Sequence, residues 1–444
     1  MFLKSYNFIE LSNLSLLDNK EIFVVSVSNN REVSLLLIYD YVEDLKYFLH
    51  LPSHFEFKCD FNLEYVKTNL KPKTVFASSK VDLIFILDFN IVNVIDINLI
   101  NWLEGTPLVY LKDYKDESFS RLCHFYKNDF SLISAINFKL SFYKFIEYFN
   151  NNLKIYLNYY LENVKYFESY NKIFFEVFTK LNFSKVGIDL ETALKEFNIT
   201  SLKKDYVLNN YNYFTLTGRP SNATKYFNFM SLKKGEGGIR KIIKSKFKDG
   251  SLLEIDFNAC QLRLFLLLIN KPFLDEEDIY EVLLHKYKHH SFFDRQGIKK
   301  FIFYEMFSND SSIYTGSIKE VQYFEEYKNK LYNFFTEKKY IVTPIFKRKM
   351  LNLPTTIKKG VLFSYFMQSF ETEFNVVLMD IIFKVLKNNF KSQLILYNYD
   401  SFVFDVHPDD EFFKLFKVLK KVIQKKGMFV KFKRGLSYDR LSLV

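Results

Sequence analysis

Arg295, Lys299, Phe303 and Phe307 recur at every fourth position, between two strand-like segments that each lead into an aspartate. At about 100° per residue, a four-residue step drifts only slowly around a helix, so these four side chains share one face. That face presents two cations followed by two aromatic rings, a surface suited to a triphosphate carrying a stacked base. The flanking segments, Leu252–Phe257 and Leu394–Asp400, are short runs of strand composition that place Asp256 and Asp400 at their ends. Two carboxylates on adjacent strands would hold a pair of divalent ions against the same triphosphate. A fold for this chain therefore has to bring strand, helix and strand to one place.

Five segments in order extend this pattern. Thr217-Gly218-Arg219-Pro220-Ser221-Asn222 comes first, followed by Asp256-Phe257-Asn258-Ala259-Cys260-Gln261-Leu262-Arg263. Then come Arg295 through Phe307, the pair Met367-Gln368, and Tyr399-Asp400-Ser401. Together they resemble DNA polymerase family A, the bacterial DNA polymerase I type, over about residues 170–444; the first and last are most like phage members. The resemblance implies a mixed α+β, right-hand polymerase: an antiparallel palm sheet, helical fingers and thumb, and a small N-terminal α/β domain. The expected division is 1–115 for the N-terminal domain, 116–210 for the thumb region and 211–444 for palm and fingers, with fingers at about 270–355.

The resemblance also implies roles. Asp256, Asp400 and the backbone carbonyl of Phe257 would hold two Mg²⁺ ions that activate the primer 3′-hydroxyl and stabilise the leaving pyrophosphate. Arg295 and Lys299 would bind the incoming phosphates, Phe303 would stack on the dNTP, and Phe307 would stand beside the template base. Arg219 and Asn222 would touch the primer-template minor groove, and Gln368 the template. Arg263 would join palm and primer side, a place that a buried structural salt bridge would fill equally well. Gln261 holds the steric-gate position, commonly Glu in the family; a side chain of that length crowds a ribose 2′-hydroxyl and argues for DNA synthesis. The chain also departs from the family pattern. Ser401 replaces a second acid, with Asp405 as a candidate substitute, and Tyr304 and Ser308 replace glycines after the two aromatics.

The net charge of +11 suits a polyanionic partner, although codon bias toward Lys accounts for such charge as well. Thr224–Lys248 concentrates eight basic residues against one acid, Glu236, between the minor-groove segment and the first metal strand; phosphate contact is expected there. Three scattered cysteines, Cys59, Cys123 and Cys260, give no disulfide frame or zinc set and point to a reducing compartment. No apolar run is long enough to span a bilayer and no signal-peptide layout opens the chain. The expectation is a cytoplasmic protein, in an infected bacterial host if phage-encoded, with no membrane partner.

Residues 1–115 read as β-rich pieces: Glu21–Val27, Val33–Tyr39, Thr74–Ala77, Val81–Phe89 and Ile91–Ile97, interrupted by a helix at about Val42–Leu49. They show no convincing acidic triad for proofreading, and they fit a degenerate exonuclease-like domain or a docking surface for other phage replication proteins. Helical spacing follows through Phe119–Tyr126, Leu140–Phe149 and Tyr170–Leu181. Asp189-Leu190-Glu191 imitates an exonuclease motif but lies too close to Thr217 to open such a domain, and it reads as a helix start. His285, His289 and His290 lack cysteines or spaced acids nearby and read as a solvated helix rather than a metal site. Two alternatives to a DNA polymerase are a single-subunit RNA polymerase and an inactive polymerase-fold subunit of a replisome.

Overall fold

A computed structural model describes residues 9–10, 21–29, 32–50, 74–77, 94–105, 146–156, 171–200 and most of 202–444. Outside it lie 233–237, 274–277, 289–293 and 310–317, with the single positions 201, 203, 223, 225 and 227. The chain forms two compact units, Met1–Phe167 and Glu168–Val444. The strand expected at Val81–Phe89 and the helix at Phe119–Tyr126 fall outside the described residues.

The first unit is built on a six-stranded sheet. Its strands are β1 (Ile9–Glu10), β2 (Glu21–Asn29), β3 (Glu32–Asp40), β4 (Leu45–His50), β5 (Thr74–Ala77) and β6 (Val94–Asp96), in the order β1-β4-β3-β2-β5-β6. The β2, β3 and β4 strands form an antiparallel meander, while β5 and β6 run parallel to β2, and β1 runs parallel to β4. Residues Val42–Leu49, expected as a helix, are instead a turn followed by β4. The Asp40 carboxylate accepts from the backbone N–H of Val42 and Glu43, and Asp44 takes a left-handed φ of 50°, which closes a hairpin and not a helical turn. Leu45, Tyr47 and Leu49 then alternate with period two, a pattern that overlaps the helical spacing over so short a run. Asp96 caps α1 (Ile97–Glu104) by accepting from the N–H of Asn98 and Leu99, and Gly105 ends it with a φ of 67°. This capping explains why the segment expected as a strand through Ile97 switches to helix at that residue.

The second unit opens with a π-helical turn, Asn171–Phe175, that runs into α2 (Glu176–Phe183). After β7 (Lys185–Gly187), the Asp189 carboxylate accepts from Thr192 N–H at 3.1 Å and caps α3 (Leu190–Phe197), so the Asp-Leu-Glu segment is a helix start. β8 (Tyr206–Leu208) pairs with β7, and β9 (Tyr211–Asn212) with β10 (Ser221–Asn222).

A five-stranded antiparallel sheet then forms the centre of this unit. It contains β11 (Ser251–Phe257), β14 (Gln393–Tyr397), β15 (Ser401–Val406), β16 (Val430–Gly435) and β17 (Ser442–Leu443), ordered β14-β15-β11-β16-β17. Its central strand β11 places Leu252, Glu254 and Asp256 on one face and Leu253, Ile255 and Phe257 on the other. Leu252 joins a buried cluster with Val186, Ile243, Ile395 and Val403. On the opposite face, Phe257 meets Phe402 edge to face at 5.0 Å.

The remaining elements are mainly helical: α4 (Cys260–Leu268), α5 (Ile279–Lys286), α6 (Arg295–Phe307), α7 (Lys319–Lys338), α8 (Lys359–Asn389) and α9 (Phe412–Gln424). A short hairpin of β12 (Ile341–Val342) and β13 (Lys349–Met350) precedes α8. The 31-residue α8 is apolar on several sides because α4, α6, α7 and α9 all pack against it.

Candidate active site

Strand pairing puts the two aspartates together. Asp256 lies opposite Ser401 in the β11–β15 register, and Phe257 N–H donates to the Asp400 carbonyl at 2.8 Å. Asp400 sits in a two-residue turn closed by reciprocal backbone hydrogen bonds between Asn398 and Ser401. That turn needs Tyr399 at a φ of 57°, a conformation that costs an aromatic residue energy. Two contacts hold it there: Asn375 Nδ2 donates to the Tyr399 carbonyl at 2.7 Å, and the Arg219 guanidinium stacks 3.7 Å from the Tyr399 ring centroid. On the other strand, Ala259 also takes a left-handed φ of 49°, turning the chain from β11 into α4 just past Asp256.

A cleft of 470 Å³ opens over this turn. Asp256, Asp400, Phe257, Gln261, Arg219, Arg295, Lys299, Phe303, Phe307 and Gln368 line it. Ten residues singled out from the sequence thus meet on one surface, contributed by β11, α4, α6, α8 and two turns. The four-residue period places the α6 side chains on the cleft side, while Ile298, Ile302 and Met306 of the same helix are buried. Phe303 is 38% exposed toward that space, and its ring lies 6.0 Å from that of Phe307.

Two expected contacts do not reach the cleft. Asn222 is fully buried; its side chain donates to Asn209 Oδ1 at 2.8 Å and accepts from Asn210 N–H at 2.8 Å, fixing the β9–β10 hairpin. Arg263 is buried between the rings of Phe273 and Phe429 and donates to the carbonyls of Asn258 and Phe273. Both serve the backbone, a demand that motif position alone does not reveal.

Asp405 is not in the cleft either. It lies four residues along β15 from Ser401, and its carboxylate accepts from Ser245 Oγ at 2.5 Å and Lys246 N–H at 3.1 Å. It ties a turn to the sheet and does not replace the missing acid.

The basic run is also more occupied than its composition suggests. Lys244 pairs with Asp189 at 3.3 Å, Lys241 pairs with Glu196, and Arg240 lies over the Tyr438 ring. Lys225, Lys233, Lys234 and Glu236 lie outside the described residues, as do His289 and His290, whereas His285 lies in the last turn of α5.

Several polar groups of the site are missed by sequence reasoning. Lys433 Nζ on β16 lies 2.5 Å from Asp256 Oδ2 and 3.2 Å from Glu254 Oε2. Burial pulls the Lys433 ammonium down, but the two carboxylates more than offset this and hold its pKa above the ordinary lysine value. Asp278 caps α5 and accepts from Arg295 through Nε at 3.0 Å and a terminal nitrogen at 2.6 Å. This pairing holds the Asp278 pKa below the usual carboxylate range despite burial, and raises that of Arg295. Glu371 of α8, 2% exposed, completes the lining. Lys433 carries no local signal, because its role depends on the β11–β16 register. Glu371 follows Gln368 by three residues on one helical face, and that spacing is a usable signal.

Burial and the nearby Asp256 charge push the Asp400 pKa up, with Arg219 opposing. A desolvated carboxylate beside a second one calls for a cation. Among the described residues no group of three or more His, Cys, Asp or Glu gathers, so the donor set is an open one of two carboxylates and neighbouring carbonyls. Hard oxygen donors that leave positions for water and phosphate fit Mg²⁺, which rarely takes an all-protein cage.

No protein-family model matches the chain, and no curated protein matches it. Among solved structures it is similar to the POL domain of Pol1 from M. smegmatis, in complex with DNA primer-template and dNTP. The TM-score is 0.68 at 11% identity, over 97% of this chain and 99% of that one. The fold is therefore that of a DNA polymerase domain, mixing helices with sheets, of which the five-stranded sheet of the second unit is antiparallel. Among the described residues no helix is long and apolar enough to cross a membrane.

Proposed function

We propose that the protein is a template-directed DNA polymerase that extends a DNA primer with dNTPs. The observation that carries this reading is the single cleft in which two strand-end aspartates face the Arg295–Phe307 side of α6. A nucleic-acid-binding subunit without activity would have no need to keep both carboxylates and both phosphate-facing cations at one surface.

In this reading Arg295 and Lys299 bind the triphosphate, Phe303 stacks on the base, and Phe307 and Gln368 face the template. Asp278 holds the Arg295 guanidinium in place before substrate arrives, so less side-chain entropy is lost on binding. Gln261 stands where the ribose would lie and excludes a 2′-hydroxyl. Arg219, stacked on Tyr399 beside Asp400, reaches the primer end. Asp256, Asp400 and the carbonyl of Phe257 would hold Mg²⁺, which when bound lowers the pKa of the primer hydroxyl and neutralises the leaving pyrophosphate. Lys433 keeps Asp256 and Glu254 from repelling each other across one face of β11.

We also assign the chain to phage-type family A, on the wording of Thr217–Asn222 and Tyr397–Ser401, with a role in phage DNA replication. Residues 1–115, within the N-terminal unit, are read as a degenerate exonuclease-like or partner-docking domain without proofreading activity. Its strand β2 carries no acid after its first residue, Glu21, and the buried Asp40 and Asp96 are both spent on capping backbone N–H groups.

Primer extension on a defined template tests the proposal. The purified chain should add complementary dNTPs, much less of the rNTPs, and should not shorten a 5′-labelled single strand. Absence of templated addition at any Mg²⁺ concentration would reject it, and efficient rNTP addition would favour an RNA polymerase.

A further inference from the structure

Glu371 is a cleft-lining acid to which the proposed chemistry gives no task. It sits on α8, far in sequence from either aspartate, with its side chain 2% exposed. Burying a carboxylate is costly unless hydrogen bonds and charges compensate it. Here the compensation comes from working side chains of the cleft. Glu371 Oε2 accepts from Gln261 Nε2 at 3.1 Å and lies 3.6 Å from an Arg219 terminal nitrogen.

The chemistry of each partner then matters. A glutamine amide has a donor end and an acceptor end, whereas an ionised carboxylate only accepts. Anchoring Gln261 through its NH₂ group fixes both the rotamer and the end of the amide left free in the cleft. Arg219 is gripped from two sides, by Glu371 and by the Tyr399 ring at 3.7 Å, and Tyr399 adjoins Asp400 in the same tight turn. A side chain that acts by excluding a hydroxyl works only if it cannot swing aside, because yielding by one rotamer would open the space it blocks.

We propose that Glu371 is a positioning residue for sugar selection: its one carboxylate sets Gln261 against the ribose and Arg219 against the primer end. Selection at the nucleotide is thereby coupled to the seating of the primer terminus. This inference rests on the polymerase reading above.

The test measures discrimination between dATP and ATP opposite a template T. Equilibrium binding to a complex with a dideoxy-terminated primer is read beside single-turnover incorporation. Glu371→Ala should lower the dATP/ATP preference by about tenfold, the size expected for losing a hydrogen bond to a charged group. Glu371→Leu keeps the buried volume should the alanine variant fail to fold, and should lose the preference equally. Glu371→Gln retains an acceptor for Gln261 and should restore most of it. In a Gln261→Ala background, Glu371→Ala should change the preference by less than about twofold, the limit expected when the coupled partner is already gone. An unchanged preference in folded Glu371→Ala or Glu371→Leu would overturn the inference, as would an equal loss with and without the Gln261 side chain. A wild type that binds and extends but does not discriminate overturns the inference and the Gln261 sugar-gate assignment, while templated extension itself still stands. A wild type that forms no complex with primer-template overturns the polymerase reading, and this inference with it.

Discussion

Asp400 makes the clearest demand at the scale of single residues. Its pKa is raised by burial and by the Asp256 charge, so the folded state holds its proton more tightly than the unfolded chain does. Stability then falls as pH rises from the unfolded carboxylate value through the raised one, because the folded protein must carry a desolvated charge. In the proposed reading, a divalent cation shared with Asp256 would reverse that penalty. Mg²⁺ should therefore raise Tm, by more at pH 7 than at pH 5, and Asp400→Asn should remove most of that difference. A Tm shift independent of pH, or undiminished in Asp400→Asn, would mean that the ion binds elsewhere. Asp256, Asp400, Arg295, Lys299 and Phe303 were legible as candidates because their spacing survives without the fold. Lys433 was not, since nothing near it in sequence announces that β16 pairs with β11. Asn222 and Arg263 lie buried outside the cleft, Arg263 in the structural place that the sequence left open for it: a motif position does not say whether a polar side chain serves a ligand or an orphaned backbone group.

At the scale of elements, α6 has to be held at a fixed height above the β11–β15 strand ends. Two devices set its C-terminal end. Lys328 of α7, buried, donates to the carbonyls of Glu305 at 3.0 Å and Ser308 at 3.2 Å, satisfying groups that a helix terminus leaves open. Gly360 of α8 lets that end approach so closely that a β-carbon would run into the carbonyl oxygens of Phe307 and Ser308. In an unhindered helix, glycine to alanine is favourable by up to about 1 kcal/mol. Gly360→Ala should instead cost about 1–3 kcal/mol, the range for overpacking, and weaken dNTP binding by displacing Phe303 and Phe307. A thermal melt with a dNTP titration checks this, and a stabilised variant with unchanged affinity would refute it. The helix pattern of α6 was readable because its apolar and polar faces separate. The turn and β4 strand at Tyr41–His50 were not, because three alternating apolar residues fit either period and the Asp40 cap decided between them.

At the scale of the whole molecule, the fold of a DNA polymerase domain is present with little sequence identity to preserve it. An order of elements was visible before the geometry: strand, helix, strand, with an aspartate at the end of each strand. The N-terminal unit was less legible, since its sheet depends on parallel pairings between distant strands that leave no local mark. The account stands on one separation, between holding the substrate and reacting it. Basic and aromatic surfaces should bind primer-template and nucleotide, whereas the two aspartates should be needed only for chemistry. The most direct measurement therefore follows Asp256→Asn and Asp400→Asn in single-turnover primer extension, beside primer-template binding of the same proteins. The account predicts extension slowed by at least about 10³-fold, a loss on the scale of removing a principal electrostatic contributor, with affinity for primer-template within about threefold of wild type, the range of a surface change. Extension within tenfold of wild type in either variant would contradict it.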